Sequence, residues 1–254
     1  MLTTASIGGS LIIDPTSELT NQLTPLNQLL PAISLVLALV IVRPGAVMRT
    51  IGITPLRPAR RAIGGSLLTF AAMVIAPLIA LALCLSLGIA EGQIPDTLPT
   101  LLSLVGPVLV LNVVVCLGEE VLWRGWLQSA WAHWGWFRSS LVIVVIWVAW
   151  HLPVMTIYAL VGEASWPGMV TGTINMVFAG VMLSALRLRF GSVWPAVIGH
   201  ATFNTFGPLI NSNFIVGGVD SEAMWAMYGF VWIIYVGLIV LARRGQPALV
   251  ATTA

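Results

Sequence analysis

Five ionisable side chains lie inside or beside long apolar stretches of this chain, where a charge is costly unless it is paired or functional. Glu119, Glu120 and Arg124 follow the apolar run LVLNVVVCL, and His151 and His200 occur in two later apolar runs. Residues four apart share one face of a helix, so Glu120 and Arg124 are spaced to form an ion pair. Glu119 then points about 100° away from that pair and can face the centre of a helix bundle.

The same segments could assemble the groups that hydrolysis of a peptide bond requires. Glu119 with His151 can deprotonate a water molecule, and His200 with Asn204, which shares its helical face, can donate hydrogen bonds to an oxyanion. A second possibility stays open, because Glu119, His151 and His200 could instead hold a zinc ion with an open water position. The chain has no His-Glu-x-x-His motif, which counts mildly against zinc.

The elements that must position these residues are predicted to be transmembrane helices. The chain has 254 residues, of which 58% are apolar and only 8% are charged, against about 25% charged residues in soluble proteins. We therefore expect an all-α, polytopic transmembrane helix bundle of about seven spans, within a range of six to eight. The predicted spans are 25–43, 63–90, 98–118 continuing towards 131, 139–160, 168–187, 192–209 and 223–242.

The arginines predict how the bundle is oriented, because cytoplasmic loops retain positive charge. The chain has no lysine, and every second predicted loop contains arginine, namely the loops with Arg43 to Arg61, with Arg138, with Arg187 and Arg189, and with Arg243 and Arg244. This pattern places the N-terminus outside, the C-terminus in the cytoplasm and the candidate site in the cytoplasmic half of the bilayer. The net charge of +2 then reflects these loops, and no nucleic-acid partner is expected.

The chain divides into one large domain and two short ends. We expect an extramembrane segment over 1–24, a single transmembrane domain over 25–244 with its catalytic core at about 98–210, and a cytoplasmic tail over 245–254. Cys84 and Cys116 both lie in apolar segments and are expected to be buried free thiols.

Three short motifs resemble those of the CPBP family of intramembrane proteases, which groups the type II CAAX prenyl endopeptidases with bacterial relatives linked to bacteriocin self-immunity. EEVLWRGWLQ contains Glu-Glu-x-x-x-Arg at 119–124, WHLP completes an aromatic-x-x-x-His motif at 147–151, and GHATFN contains His-x-x-x-Asn at 200–204. The motifs occur in the family's order within about residues 110–206. One departure is Trp147, where the family more often has Phe.

The resemblance implies a role for each matching residue. Glu119 would be the general base with His151 assisting, His200 and Asn204 would form the oxyanion site, and Glu120 with Arg124 would orient and brace them. It also implies a glutamate-dependent reaction without a metal, although the residues alone leave zinc possible.

The expected function is thus an intramembrane endopeptidase that cuts a membrane-associated peptide or protein. A chain rich in arginine and devoid of lysine suggests a GC-rich bacterial genome, and hence a bacterial plasma membrane. Two alternatives stay open: a non-catalytic membrane immunity or scaffold protein, and a proton-coupled transporter. The expected partners are the substrate and the lipid bilayer; the sequence does not specify an oligomeric state.

Overall fold

The computed structural model describes residues 30–42, 51–53, 58–162, 164–217 and 223–244, most of which are helical. Within these residues there is no β-strand, only an isolated antiparallel bridge between Gly92 and Ile215. The prediction of an all-α fold is therefore confirmed. The helices are α1 Leu30–Val42, α2 Ala59–Ser86, α3 Leu98–Ala130, α4 Trp136–Leu160, α5 Trp166–Phe190, α6 Trp194–Asn213 and α7 Ala223–Arg243.

Five of these helices, α2, α3, α4, α5 and α7, are long and apolar enough to cross a membrane, so the chain is an integral membrane protein. The predicted sixth span forms the 20-residue helix α6, but α6 is not among the candidate membrane spans. Of the predicted first span, the described part is the 13-residue α1. The predicted terminal segments 1–24 and 245–254 lie outside the described residues.

Helix α6 holds the bundle together, because it packs against α2, α3 and α5, while α7 packs on α5 and α2, and α4 packs on α5. The larger apolar core lies between α2, α5, α6 and α7, and a second core lies between α3, α4 and α5. Large apolar side chains such as Leu102, Val110 and Val145 face outward. That distribution suits helices surrounded by lipid, whose tails are as apolar as the side chains themselves.

A π-helical turn interrupts α3 at the first motif, directly after Glu119 and Glu120. The α-helix ends at Glu120, residues Val121–Leu127 form the π turn, and a last α-helical turn covers Gln128–Ala130. The predicted third span, 98–118 continuing towards 131, thus remains helical as far as Ala130. Single π turns within α-helices are frequent at functional sites, since they widen the helix and redirect its side chains.

The two arginines predicted for the loop after the fifth span lie within a helix instead. Arg187 and Arg189 are in the last turn of α5, because α5 continues to Phe190 before Gly191, in a left-handed conformation, ends it. Arg187 is consequently buried, 4% exposed, with its guanidinium against Gly52. The Gly52 carbonyl also accepts a hydrogen bond from the Val193 amide, 3.0 Å away, so residues 51–53 are fastened to the α5–α6 connection.

Candidate active site

The first and third motifs meet at one carboxylate oxygen. Arg124 Nη1 donates to Glu120 Oε1 over 2.7 Å, and both side chains are completely buried. His200 Nδ1 lies 2.9 Å from the same oxygen. The ion pair predicted from the four-residue spacing is therefore present within α3, and the contact of His200 with Glu120 joins α3 to α6.

The second motif reaches the first through Trp147. Its indole Nε1 donates to Glu119 Oε2 over 2.6 Å, and Glu119 is fully buried. The other oxygen, Glu119 Oε1, has no hydrogen-bond partner among the described residues. An ionised carboxylate accepts hydrogen bonds through both oxygens, and a buried acceptor without a partner is costly. Oε1 is therefore the atom through which Glu119 can bind a further donor.

Aromatic contacts fix the indole of Trp147 among the other candidate residues. Its ring lies edge-on to the rings of His151 and His200, with centroid distances of 5.4 and 5.1 Å. The guanidinium of Arg124 lies 4.6 Å from the ring centroid, a cation–π distance. Sequence reasoning identified the aromatic position but missed its N–H donor, because the partner carboxylate lies on another helix.

The hydrogen bonding of His151 determines which ring nitrogen can act as a base. Its Nδ1 lies 2.9 Å from the main-chain oxygen of Trp147. A carbonyl oxygen only accepts, so the proton of the neutral ring belongs on Nδ1. Nε2 then carries the lone pair, and His151 can accept a proton there.

A cavity of about 460 Å³ opens beside these residues, between α4, α5, α6 and α7. His151, His200 and Asn204 contribute to its lining, as does Trp147. Glu119 is not among the described residues that line it, and Trp147 is the residue that connects its carboxylate to the cavity. Three of the four residues predicted to be catalytic thus share one cavity, and the fourth lies behind an indole.

Asn204 lies at the boundary between two spaces. It lines the main cavity and also a groove between α3 and α6. Its Nδ2 contacts the Sγ of Cys116 at 3.5 Å, a weak hydrogen bond that leaves the second N–H of the carboxamide available. Cys84 and Cys116 are both free and buried, as predicted. The proximity of Cys116 to Asn204 was not predicted.

The residues of the possible zinc site have other contacts in this structure. Among the described residues, no group of three or more His, Cys, Asp or Glu side chains is arranged to hold a metal ion. Glu119 Oε2 accepts from Trp147, while His200 Nδ1 faces Glu120. Within the part of the chain that the structure describes, these contacts leave Glu119 Oε1 and His151 Nε2 without a partner, so a chelation experiment has to test whether the reaction needs a metal.

The cavity also contains polar residues that the sequence analysis did not identify. They are Asn175 on α5, Asn211 on α6 and Tyr228 on α7. One signal could have revealed Asn211, because it follows Asn204 by seven residues and so shares its helical face. Asn175 was also visible as a carboxamide within an apolar span.

The comparison with protein families agrees with the resemblance drawn from the motifs. Residues 101–206 match the family model described as type II CAAX prenyl endopeptidase Rce1-like. That range runs from α3 into α6 and contains all three motifs. No significant match was found to a curated protein or to a solved structure. Over the segment that positions its candidate site, the chain is thus similar to a family of membrane peptidases.

Proposed function

We propose that this protein is an intramembrane endopeptidase that hydrolyses peptide bonds of a membrane-associated protein or peptide. The observation that carries the proposal is that two imidazoles and a carboxamide from α4 and α6 share one cavity, while the Glu119 carboxylate of α3 is hydrogen-bonded to Trp147, which also lines it. The family match over residues 101–206 supports the same class of reaction.

In the proposed reaction, a water molecule binds Glu119 Oε1 and is deprotonated by Glu119 with help from His151 Nε2. The resulting hydroxide attacks the carbonyl carbon of the scissile bond. Trp147 keeps Oε2 occupied, so Oε1 is the oxygen that receives the proton. Because the indole connects Glu119 to the cavity, we expect a small displacement of Trp147 to admit the water.

The tetrahedral oxyanion is stabilised by hydrogen bonds from Asn204 Nδ2 and from His200 Nε2. His200 can donate from Nε2 when its ring carries both protons, while Nδ1 continues to donate to Glu120. Protonated Glu119 then returns its proton to the leaving nitrogen as the C–N bond breaks. Glu120 and Arg124 orient His200 and take no proton.

The proposed setting is a bacterial plasma membrane, with seven crossings, the N-terminus outside and the C-terminus in the cytoplasm. The supporting observation is the arginine content of alternate loops. In this orientation the site lies in the cytoplasmic half of the bilayer, and the substrate enters from the cytoplasm or laterally from the lipid.

A reconstitution experiment tests the proposed activity. The full-length protein in lipid nanodiscs is incubated with a pool of apolar peptides, and new peptide termini are identified by mass spectrometry. We expect cleavage by the wild type and none by Glu119→Gln. Equal cleavage by both proteins would remove Glu119 from the mechanism. Peptide binding without cleavage would favour the immunity or scaffold function. If the protein instead conducts protons when it is reconstituted in liposomes, and cleaves no peptide, a transporter would be favoured.

The same assay tests the proposal that no metal is needed. We expect 1,10-phenanthroline and EDTA to leave the cleavage rate unchanged. Inhibition by the chelator that is reversed by added zinc would instead assign Glu119, His151 and His200 to a metal site.

A further inference from the structure

At one end of the cavity, Asn211 and Tyr228 belong to a second set of polar groups. Asn211 is 6% exposed, and its Nδ2 donates to the Tyr228 hydroxyl over 2.8 Å. Its Oδ1 is buried and has no hydrogen-bond partner among the described residues. An unpaired buried acceptor lining a cavity is a place where a ligand donor is favoured, because the ligand supplies the missing bond.

Aromatic packing holds the neighbouring carboxamide in place. Trp232 Nε1 donates to Asn175 Oδ1 over 3.2 Å, which leaves the Nδ2 of Asn175 for another acceptor. The Trp232 ring stacks between Phe178 and Tyr228, at centroid distances of 5.4 and 6.2 Å and interplanar angles of 12° in both cases. The carboxamide is thus oriented before any ligand binds.

The chemistry of this end selects an uncharged ligand with both a donor and an acceptor. The described residues that line the cavity include no Asp, Glu, Lys or Arg. A free carboxylate bound among carboxamides and a phenol would lose its hydration without gaining a cation. A main-chain peptide group fits instead, because its N–H can donate to Asn211 Oδ1 and its C=O can accept from Asn175.

The spacing along α6 relates this end to the scissile bond. Asn211 follows Asn204 by seven residues, nearly two helical turns on the same face, which is roughly 10 Å at about 1.5 Å per residue. An extended peptide covers that length in about three residues, at roughly 3.3 Å each.

We propose that Asn175, Asn211 and Tyr228 form a subsite for an uncharged main-chain amide of the substrate, about three residues from the scissile bond. This inference rests on the proposed peptidase function and adds a specificity to it. The enzyme cuts within an apolar peptide segment and disfavours substrates that place a free C-terminal carboxylate at this subsite.

Binding tests the subsite separately from cleavage. The probes are a library of N-acetylated hexapeptide amides composed of Ala, Leu, Val and Ser, and the same library with free C-terminal carboxylates. Full-length protein carrying Glu119→Gln is immobilised in nanodiscs, and retained peptides are quantified by mass spectrometry. We expect the amides to be retained over the acids, and Asn211→Ala or Asn175→Ala to weaken retention about tenfold, as expected for one lost hydrogen bond.

Two further variants complete the experiment. Asn213→Ala is the matched control, since Asn213 lies on the same helix but lines the α3–α6 groove. Its Nδ2 donates to the main-chain carbonyl of Leu209, one turn earlier in α6. It should bind like the parent. Ser212 faces outward and lines the cavity, so Ser212→Arg adds a cation without burying it in the core. It should shift the preference towards the acids.

The outcomes separate this inference from the proposed function. Retention that depends on Asn211 but not on Asn213 supports the subsite. If the wild-type protein nevertheless cleaves no peptide, only the peptidase proposal fails. Equal retention by the Asn211→Ala and parent proteins, preference for the free acids, or no retention at all would overturn the subsite.

Discussion

At the residue scale, one indole connects the groups that the proposed reaction needs. Trp147 donates to Glu119, contacts both imidazole rings and lies under the Arg124 guanidinium. Members of the protease family that this chain resembles more often have Phe at this position, and Phe offers an aromatic ring without the N–H. The indole N–H is therefore expected to position the base without being indispensable to the reaction.

Replacing Trp147 by Phe tests that role. We expect kcat for a cleaved peptide to fall by about 10- to 150-fold and KM to stay nearly constant, because a hydrogen bond to a charged group is worth about 1.5–3 kcal/mol. Trp150→Phe is the matched control, since Trp150 also packs on His151 but its buried N–H has no partner in the described part of the chain. Equal losses in the two variants would show that ring packing, not the hydrogen bond, matters.

The two adjacent glutamates should differ in what their loss changes. Glu120→Gln removes the charge that balances Arg124 in a fully buried pair, so we expect the free energy of unfolding to drop by about 3 kcal/mol. Glu119→Gln keeps an oxygen for the Trp147 N–H and should retain nearly all of the stability while losing activity. Thermal unfolding in detergent compares the two. A less stable Glu119→Gln protein would reverse the assignment of structural and chemical roles.

At the element scale, close packing of α4 and α5 fixes the position of the buried ion pair. Gly180 on α5 leaves no room for a side chain: a Cβ there would lie 2.6 Å from Val144 Cγ2 and 2.9 Å from Arg124 Nη2. The π turn that contains Arg124 lies against the same surface. Small residues at such interfaces let membrane helices approach closely enough for polar side chains to meet.

Gly180→Ala should therefore destabilise the protein, by about 1–3 kcal/mol for an overpacked core. We also expect reduced activity, since the added methyl group displaces Arg124 or Trp147. Gly237→Ala on α7 is the control, because a Cβ at Gly237 would meet nothing within 4 Å. Thermal unfolding of both variants checks the expectation, and unchanged stability of Gly180→Ala would mean that α4 and α5 are less tightly packed than described.

The sequence predicts features set by local spacing better than features set by helix rotation. Spans of apolar residues predicted the helices, and the four-residue spacing predicted the ion pair of Glu120 with Arg124. The hydrogen bond from Trp147 to Glu119 joins residues 28 positions apart, so it depends on how α3 and α4 turn towards each other. The π turn at Val121–Leu127 has no distinctive residue pattern, and the polar cluster around Asn211 needs three helices in place.

At the scale of the whole molecule, the bundle keeps water from the ionisable residues and so strengthens their mutual interactions. The exposed side chains on α3 and α4 are mostly apolar, while every ionisable residue of the three motifs is buried or half-buried. Which side of the membrane the cavity faces depends on the number of crossings, and, of the helices that the structure describes, α1 and α6 are not among the candidate spans.

Fusions at the C-terminus and at residue 92 test the topology. Seven crossings place the termini on opposite sides, whereas six place them on the same side. We expect a C-terminal green fluorescent protein to fluoresce and a C-terminal alkaline phosphatase to be inactive, because the arginine-containing loops face the cytoplasm. A phosphatase inserted at residue 92, between α2 and α3, should be active. The opposite pattern would invert the proposed orientation.

The most direct test of the central claim compares peptide termini in the membranes of cells that express the wild type, Glu119→Gln or Glu91→Gln at matched abundance. Glu91 is exposed on the connection between α2 and α3 and belongs to none of the three motifs, so its substitution controls for the loss of a carboxylate. We predict new termini in cells with the wild type and with Glu91→Gln that are absent with Glu119→Gln. Identical sets of termini in all three, with all three proteins inserted, would contradict proteolysis by this site.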